Sequence, residues 1–514
     1  MNGAESLVRT LHGAGVRVCF ANPGTSEMQF VDALDRTGLM RCVLGLFEGV
    51  VTGAADGYAR MTGVPAVTLL HLAPGLANAS ANIHNARKAH TPMLNLVGDH
   101  ATRHLSFDAP LTADVAGAAA PFSDFVRVAR SAAKLGLDGA EALACAMGAP
   151  GRVATLIAPS DTGWDEGGEV AAPIPPQGPA PIEPRAVEQA AKALLSGEPT
   201  LIYVGGKVLE DTALTGLLSG IAAATGAKLM APTSNRRVER GRGRANVPRL
   251  PYPVDLAVDA LKEFRHTIFI EAHQPVAFFA YPGKPSLLLP DSCQRINLCD
   301  LHEDGAAAVH ALADRLGVRA PRVVDVPAPV APQAGPITVP ALGAAFAAAL
   351  PEGAIVTDEG VTVGRDVFGA TAGSPPMSWI AITGGSIGIG LPLGLGAAIA
   401  CPGRPVVALQ ADGSAMYTIQ ALWSQAREGA NVTTVILANR GYEILKQELY
   451  RVGANPGRGA LDMLEIDRPT LDFVSLARGM GVPGKRVEDA AELTRTIAAA
   501  TQEPGPFLIE AVID

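Results

Sequence analysis

The 514-residue sequence predicts an α/β protein of three successive doubly wound domains, each built on a parallel sheet. Short apolar runs of strand length alternate with segments of helical periodicity along the whole chain. Two proline-rich stretches interrupt that alternation and read as stiff linkers: AAPIPPQGPAPIEP at 171–184, and 321–340, which contains PAPVAPQAGP. The length also exceeds what one hydrophobic core supports. The expected domains are residues 1–170, 185–320 and 339–514.

In the first segment the apolar runs 17–21, 66–72 and 93–97 are the expected strands. In the second they are 200–204 and 267–271, and in the third 354–357, 406–410 and 433–438. Runs without polar alternation suit parallel strands covered on both faces. A composition that is 48% hydrophobic but only 5% aromatic suits Ala- and Gly-rich helices packed closely on such sheets. Gly-rich 384–396, GGSIGIGLPLGLG, holds no G-x-G-x-x-G register, and Gly205-Gly206-Lys207-Val208 lacks the Walker spacing and hydroxyl.

A net charge of −9 argues against a nucleic-acid partner. Arg236, Arg237, Arg240, Arg242 and Arg244 form a local basic run, interleaved with Glu239 and glycines, and the expectation there is a solvated loop. The opening residues carry no signal-peptide pattern and no 18-residue apolar span follows. The six cysteines lack Cys-x-x-Cys spacing and read as small buried hydrophobes. A cytoplasmic protein without a membrane partner is expected.

Chemistry concentrates at 411–441. Ala-Asp-Gly-Ser at 411–414 and Ala-Asn-Arg-Gly at 438–441 each follow an apolar strand. The Asp412 carboxylate and the Asn439 amide oxygen can therefore meet one hard cation at the sheet edge, with phosphate oxygens completing an octahedron around Mg²⁺. Gly413 and Ser414 open a helix whose free N–H groups favour an anion. Asp-Gly-Ser is also an ordinary strand-to-helix turn. Glu48 ends another apolar run, 43–47, ahead of a helix over 49–60; by itself a carboxylate there also serves as a cap or salt-bridge partner.

The 411–441 pattern resembles the diphosphate motif of thiamine diphosphate (ThDP) enzymes, Gly-Asp-Gly-Ser followed by Asn-Asn, with Ala411 and Ala438 replacing the first Gly and the first Asn. Asn22-Pro-Gly-Thr25, Phe47-Glu48-Gly49, the 54–60 segment AADGYAR and the 69–75 segment LLHLAPG resemble, in that order, the pyrimidine-binding domain of ThDP-dependent 2-oxo acid decarboxylases and synthases. The resemblance spans essentially the whole chain. It is densest at 15–115 and 380–445, and in local wording it is most similar to benzoylformate decarboxylase.

The resemblance implies roles residue by residue. Glu48 would hydrogen-bond the pyrimidine ring and favour the imino tautomer that serves as an intramolecular base. Ile387 matches the apolar wedge that bends the cofactor, and the Gly385 carbonyl would meet its exocyclic amine. Gly413, Ser414, Thr362 and Tyr442 fall to the cofactor; Asp412, Asn439 and the Gly441 carbonyl fall to Mg²⁺. His71 matches a proton-transfer histidine, Thr25 a serine hydroxyl, and His100, with His104, follows the third strand where relatives contact substrate. A second family histidine has no counterpart; Phe278 stands at its position. The resemblance further implies a homo-oligomer, a homotetramer with its active site at a dimer interface, acting on a small 2-oxo acid by decarboxylation with or without carboligation.

An acetolactate synthase large subunit-like carboligase is the alternative. Against it stand Thr25 after Gly24, Asp99 in place of a glutamine, a chain that stops at 507–514 without a lid, and no clear flavin signature. A ThDP-binding protein of weak or regulatory activity and a nucleotide-binding α/β protein without thiamine chemistry are two further readings.

Overall fold

The computed structural model describes residues 1–513 and contains three sheets. The first is built from β1 (Val18–Asn22), β2 (Arg41–Leu44), β3 (Val67–Leu70), β4 (Met93–Asp99), β5 (Phe125–Val128) and β6 (Val153–Pro159), all parallel, in the order β2-β1-β3-β4-β6-β5. The second contains β7 (Thr200–Val204), β8 (Lys228–Met230), β10 (His266–Ile270) and β11 (Gln294–Cys299), parallel in the order β11-β10-β7-β8. The third comprises β12 (Ile355–Glu359), β13 (Met377–Ala381), β14 (Val406–Ala411), β15 (Val432–Ala438), β16 (Gly484–Val487) and β17 (Phe507–Val512). Its order is β16-β17-β15-β14-β12-β13-β9, and its edge strand is β9 (Val238–Arg240).

The central strands are buried along their whole length, which is why they read as unbroken apolar runs rather than alternating ones. No helix among the described residues is long and apolar enough to cross a membrane.

Two expectations need correction. The arginine run is not a solvated loop. Residues 238–240 form β9, which crosses from the middle segment to pair antiparallel with β13, Val238 opposite Trp379. Arg240 is buried, with its guanidinium 3.5 Å over the Phe368 ring and donating to Thr371 Oγ1 at 2.7 Å. Aromatic faces and carbonyls, not water, receive that charge. Among the cysteines only Cys19, Cys293 and Cys299 are buried; Cys42 is exposed.

The first and third sheets are locked together by helix Glu48–Thr62 packing on helix Gly390–Ala400. Small residues let the backbones touch: a Cβ on Gly396 would lie 1.8 Å from the Ala54 carbonyl oxygen, and one on Gly57 would lie 2.2 Å from that of Leu393. Arg60 sits in the same seam, fully buried. It holds Asp56 through Nε at 2.8 Å and Nη2 at 2.6 Å, and donates to the Ala381 carbonyl at 2.6 Å and to Thr383 Oγ1 at 3.1 Å. Removing one partner of such a pair leaves a buried charge unmet. Gly396→Ala should destabilise the fold by roughly 1–3 kcal/mol through overpacking, and Arg60→Met by roughly 3–5 kcal/mol. Thermal unfolding checks this; midpoints equal to wild type in both variants would refute the seam's importance.

Candidate active site

In an open parallel sheet, ligands settle beyond the strand C-termini where the strand order reverses. In the third sheet β12 is followed by β13 on one side and β14 on the other, so the reversal lies between β12 and β14. An open cleft of about 440 Å³ lies there. Its walls are Gly360–Val363 after β12, Asp412–Ser414 after β14, Asn439 and Gly441–Ile444 after β15, and Ile387 from the loop before helix Gly390–Ala400.

Asp412 is buried at 2% exposure. Its carboxylate accepts from Gly413 N at 2.7 Å and Arg440 N at 2.6 Å. Burial pushes the carboxyl above its ordinary value, and these backbone N–H groups pull the other way. The Arg440 amide is delivered by a left-handed turn, φ +59, between Asn439 and Gly441. Asn439 Oδ1 accepts from Gly441 N at 3.3 Å, which points the amide oxygen along the same edge. Among the described residues no group of three His, Cys, Asp or Glu side chains is placed to hold a metal. One carboxylate, one amide oxygen and one main-chain carbonyl on this edge could supply the sparse, hard oxygen donors that Mg²⁺ takes together with external oxygens. Gly413 must lack a side chain: a Cβ there would lie 2.5 Å from the Tyr442 ring.

The 383–390 loop is clamped by the first domain. Asn85 Nδ2 donates to the Ser386 carbonyl at 2.7 Å, and its Oδ1 accepts from Gly384 N at 3.0 Å. Asn82 Nδ2 reaches both the Gly49 carbonyl at 2.7 Å and the Gly388 carbonyl at 3.3 Å. Gly385 takes φ +74, and the Phe278 ring reaches to 2.6 Å from where its Cβ would be.

The first sheet reverses between β1 and β3. A second polar cluster gathers there, around a residue the sequence did not single out. Glu27 is fully buried; it accepts from Gly24 N at 2.8 Å, Ser26 Oγ at 2.7 Å and His71 Nδ1 at 2.8 Å. A carboxylate only accepts, so Nδ1 carries the proton of that bond and Nε2 is the free ring nitrogen. His71 is thrown sideways by Leu72 at φ +51, a strained backbone for a leucine. Gly98 makes the room: a Cβ there would lie 1.7 Å from Glu27 Oε1. Glu48, 8% exposed, receives Asn78 Nδ2 on Oε2 at 3.0 Å, while Oε1 faces Gly75, whose absent Cβ would lie 3.0 Å from it and 3.3 Å from His71 Cβ. A signal for Glu27 exists in the sequence, an acid two residues after Thr25, but burial against His71 needs the fold.

The expected site residues thus fall into two groups within one chain. Thr362, Ile387, Asp412, Gly413, Ser414, Asn439, Gly441 and Tyr442 share the third-sheet cleft. Glu48 and His71 share the space over Gly75 in the first domain. Thr25 is exposed on the turn beside them. His100 stands apart beyond β4, its ring centroid 5.6 Å from that of His104 and its Nε2 buried without a hydrogen-bond partner among the described residues. The second sheet's reversal, between β7 and β10, is filled by the protein itself: Glu271 accepts from Val208 N at 3.1 Å and presses against Gly206 and Gly305.

Known proteins resemble this chain in sequence and fold. The family described as thiamine pyrophosphate enzyme, N-terminal TPP binding domain, matches residues 1–118, and the corresponding C-terminal TPP binding domain matches 367–511. A Mycobacterium tuberculosis protein named "Putative acetolactate synthase large subunit IlvX" is 49% identical over 519 residues, covering 100% of this chain and 99% of that protein. Benzoylformate decarboxylase of Pseudomonas aeruginosa is 26% identical over 547 residues, covering 98% of each. The solved structure of the Rhodococcus jostii ThDP-dependent 4-hydroxybenzoylformate decarboxylase superimposes with a TM-score of 0.83 over 100% of both chains at 23% identity, a likeness of fold. With both cofactor-binding domains matched and a relative at that identity along its whole length, the chain belongs to the thiamine diphosphate-dependent acetolactate synthase and 2-oxo acid decarboxylase family, an enzyme family of carbon–carbon lyases and carboligases whose cofactor is thiamine diphosphate.

Proposed function

We propose that the protein catalyses ThDP- and Mg²⁺-dependent decarboxylation of a 2-oxo acid, in the manner of benzoylformate decarboxylase. The observation that carries this reading is the Glu27–His71 pair held beside Glu48. A decarboxylase must return a proton to the carbon that loses CO₂, and a histidine with its Nδ1 tied to a carboxylate offers Nε2 for that transfer. Bound thiamine diphosphate supplies the nucleophilic carbon and the electron sink for loss of CO₂.

The residues present fit that cofactor. Asp412, Asn439 and the Gly441 carbonyl would hold Mg²⁺, and Gly413, Ser414, Thr362 and Tyr442 would receive the diphosphate. Ile387 would serve as the apolar wedge, and the Gly385 carbonyl would take the cofactor's amine. Glu48 offers Oε1 to the pyrimidine nitrogen, since Asn78 occupies Oε2. His71 would move the proton, with Thr25 beside it on the substrate side. As the family resemblance implies, we infer that two copies complete each site across a homodimer, and that dimers pair into a homotetramer. Carboligation to an acetolactate-type product is the second reading, favoured by the name of the 49%-identical relative.

A panel of pyruvate, branched 2-oxo acids and benzoylformate, followed by product mass spectrometry, tests the reaction. Aldehydes support the decarboxylase, hydroxyketones the carboligase, and no CO₂ release from any substrate refutes both. By calorimetry, Asp412→Ala should weaken Mg²⁺-supported ThDP binding by about tenfold or more, whereas Glu48→Gln should bind ThDP yet lose roughly 10²- to 10⁴-fold in turnover. Glu48→Gln retaining full turnover would remove its role. In Glu27→Leu, ¹⁵N spectra of His71 should show loss of the single Nδ1–H tautomer, with kcat falling more than ThDP affinity; an unchanged tautomer would sink the pairing argument.

A further inference from the structure

Beneath the cleft lies a group to which no role above falls. Glu359 ends β12 and is 1% exposed. Its Oε1 accepts from Gly388 N at 2.6 Å; its Oε2 accepts from Gly390 N at 2.6 Å and from Gln410 Nε2 at 3.1 Å. Gln410 Nε2 also donates to Ser414 Oγ at 2.6 Å, and that hydroxyl donates to the Ala411 carbonyl at 3.1 Å. The turn is held from its other side too, where Thr418 Oγ1 donates to the Gly388 carbonyl at 2.8 Å and Thr357 Oγ1 to that of Gly390 at 3.2 Å.

Three walls of the cleft therefore meet at one carboxylate. Gly360–Val363 follows Glu359 directly in the chain. The turn carrying Ile387 hangs from its two oxygens, and the Asp412–Ser414 loop is tied to it through Gln410. The fit leaves no slack: Gly388 takes φ +97, and a Cβ on Gly390 would lie 2.2 Å from Gln410 Oε1 and 2.9 Å from Glu359 Cβ. A carboxylate this dry is costly unless donors surround it. Burial pushes Glu359 up to about 7, with the Gly388, Ile389 and Gly390 amides and Gln410 pulling it down. A core-filling role would be served better by an apolar residue; what the carboxylate adds is a grip on inward-facing amides, which leaves Ile387 on the cleft side.

We propose that Glu359 is a positioning residue that sets the spacing between the Ile387 wedge and the diphosphate loop, so that one ligand can touch both. The proposal rests on the ThDP reading of the cleft. A ligand that spans both walls should feel the loss of this spacing, and a ligand that touches only the diphosphate loop should not.

Calorimetry on the full-length apoprotein with Mg²⁺ provides the test, titrating ThDP and inorganic pyrophosphate in parallel. In Glu359→Gln, which puts an N–H against the Gly390 and Gln410 donors, ThDP should bind about tenfold or more weakly, while pyrophosphate affinity stays within about threefold of wild type. Equal losses for both ligands, or no loss for either, would overturn the proposal. Where Glu359→Gln does not fold, Gln410→Met cuts the link to Ser414 without touching β12, and the same unequal loss is expected. Wild type failing to bind ThDP would instead overturn the cofactor reading itself.

Discussion

The relation between the first and third sheets rests on two helices whose backbones touch at glycines. Helices Glu48–Thr62 and Gly390–Ala400 approach so closely that Gly57 and Gly396 cannot carry a Cβ. Arg60 then fastens the seam by bonding Asp56 within its own helix and the Ala381 carbonyl of the third sheet. Each helix begins at a functional loop, one at Glu48 and the other just after Ile387. A rigid seam therefore relates the first-domain cluster to the loop over the cleft, and Asn82 makes that relation explicit by bonding the main chain of both Gly49 and Gly388. Catalytic groups are held best on elements that cannot shift.

A second regularity concerns charge. At each sheet's reversal a buried carboxylate accepts main-chain N–H groups: Glu27 in the first, Glu271 in the second, Glu359 and Asp412 in the third. Strand C-termini and the turns after them expose unpaired amides, which attract anions. In the second sheet the chain's own acid satisfies them and the crevice is closed. In the first, the acid spends part of its capacity on His71 and so orients a ring. In the third, Glu359 gathers the amides below the cleft, while Asp412 takes those of Gly413 and Arg440 at its edge. Leu72, Glu271, Val361 and Arg440, at φ between +46 and +59, mark the turns that make these arrangements. Non-glycine residues in that region are strained, and such strain collects at functional sites.

Much of this was legible in the residues. Unbroken apolar strands and two proline linkers led to three α/β units on largely parallel sheets, as found. Glu359 and Glu27 were not singled out, because an acid's chemistry depends on whether water can reach it, and burial is not written in local sequence. The arginine run was misread for the same reason: five arginines among glycines look solvated until β9 is seen crossing to the third sheet and Arg240 lying on Phe368.

By itself the sequence determined the α/β class, through the periodicity of its apolar runs, and the cofactor family, through motifs at short spacing that resemble those of known enzymes. Only the tertiary structure decided which carboxylates are dry, which amides they hold, and that Glu48 and the diphosphate cleft sit on separate sheets of one chain. Those facts come from the packing of separate elements, some hundreds of positions apart, such as Asn82 with Gly388 and Arg60 with Ala381. Dielectric and geometry at such contacts are properties of the packed interior, and no local pattern specifies them.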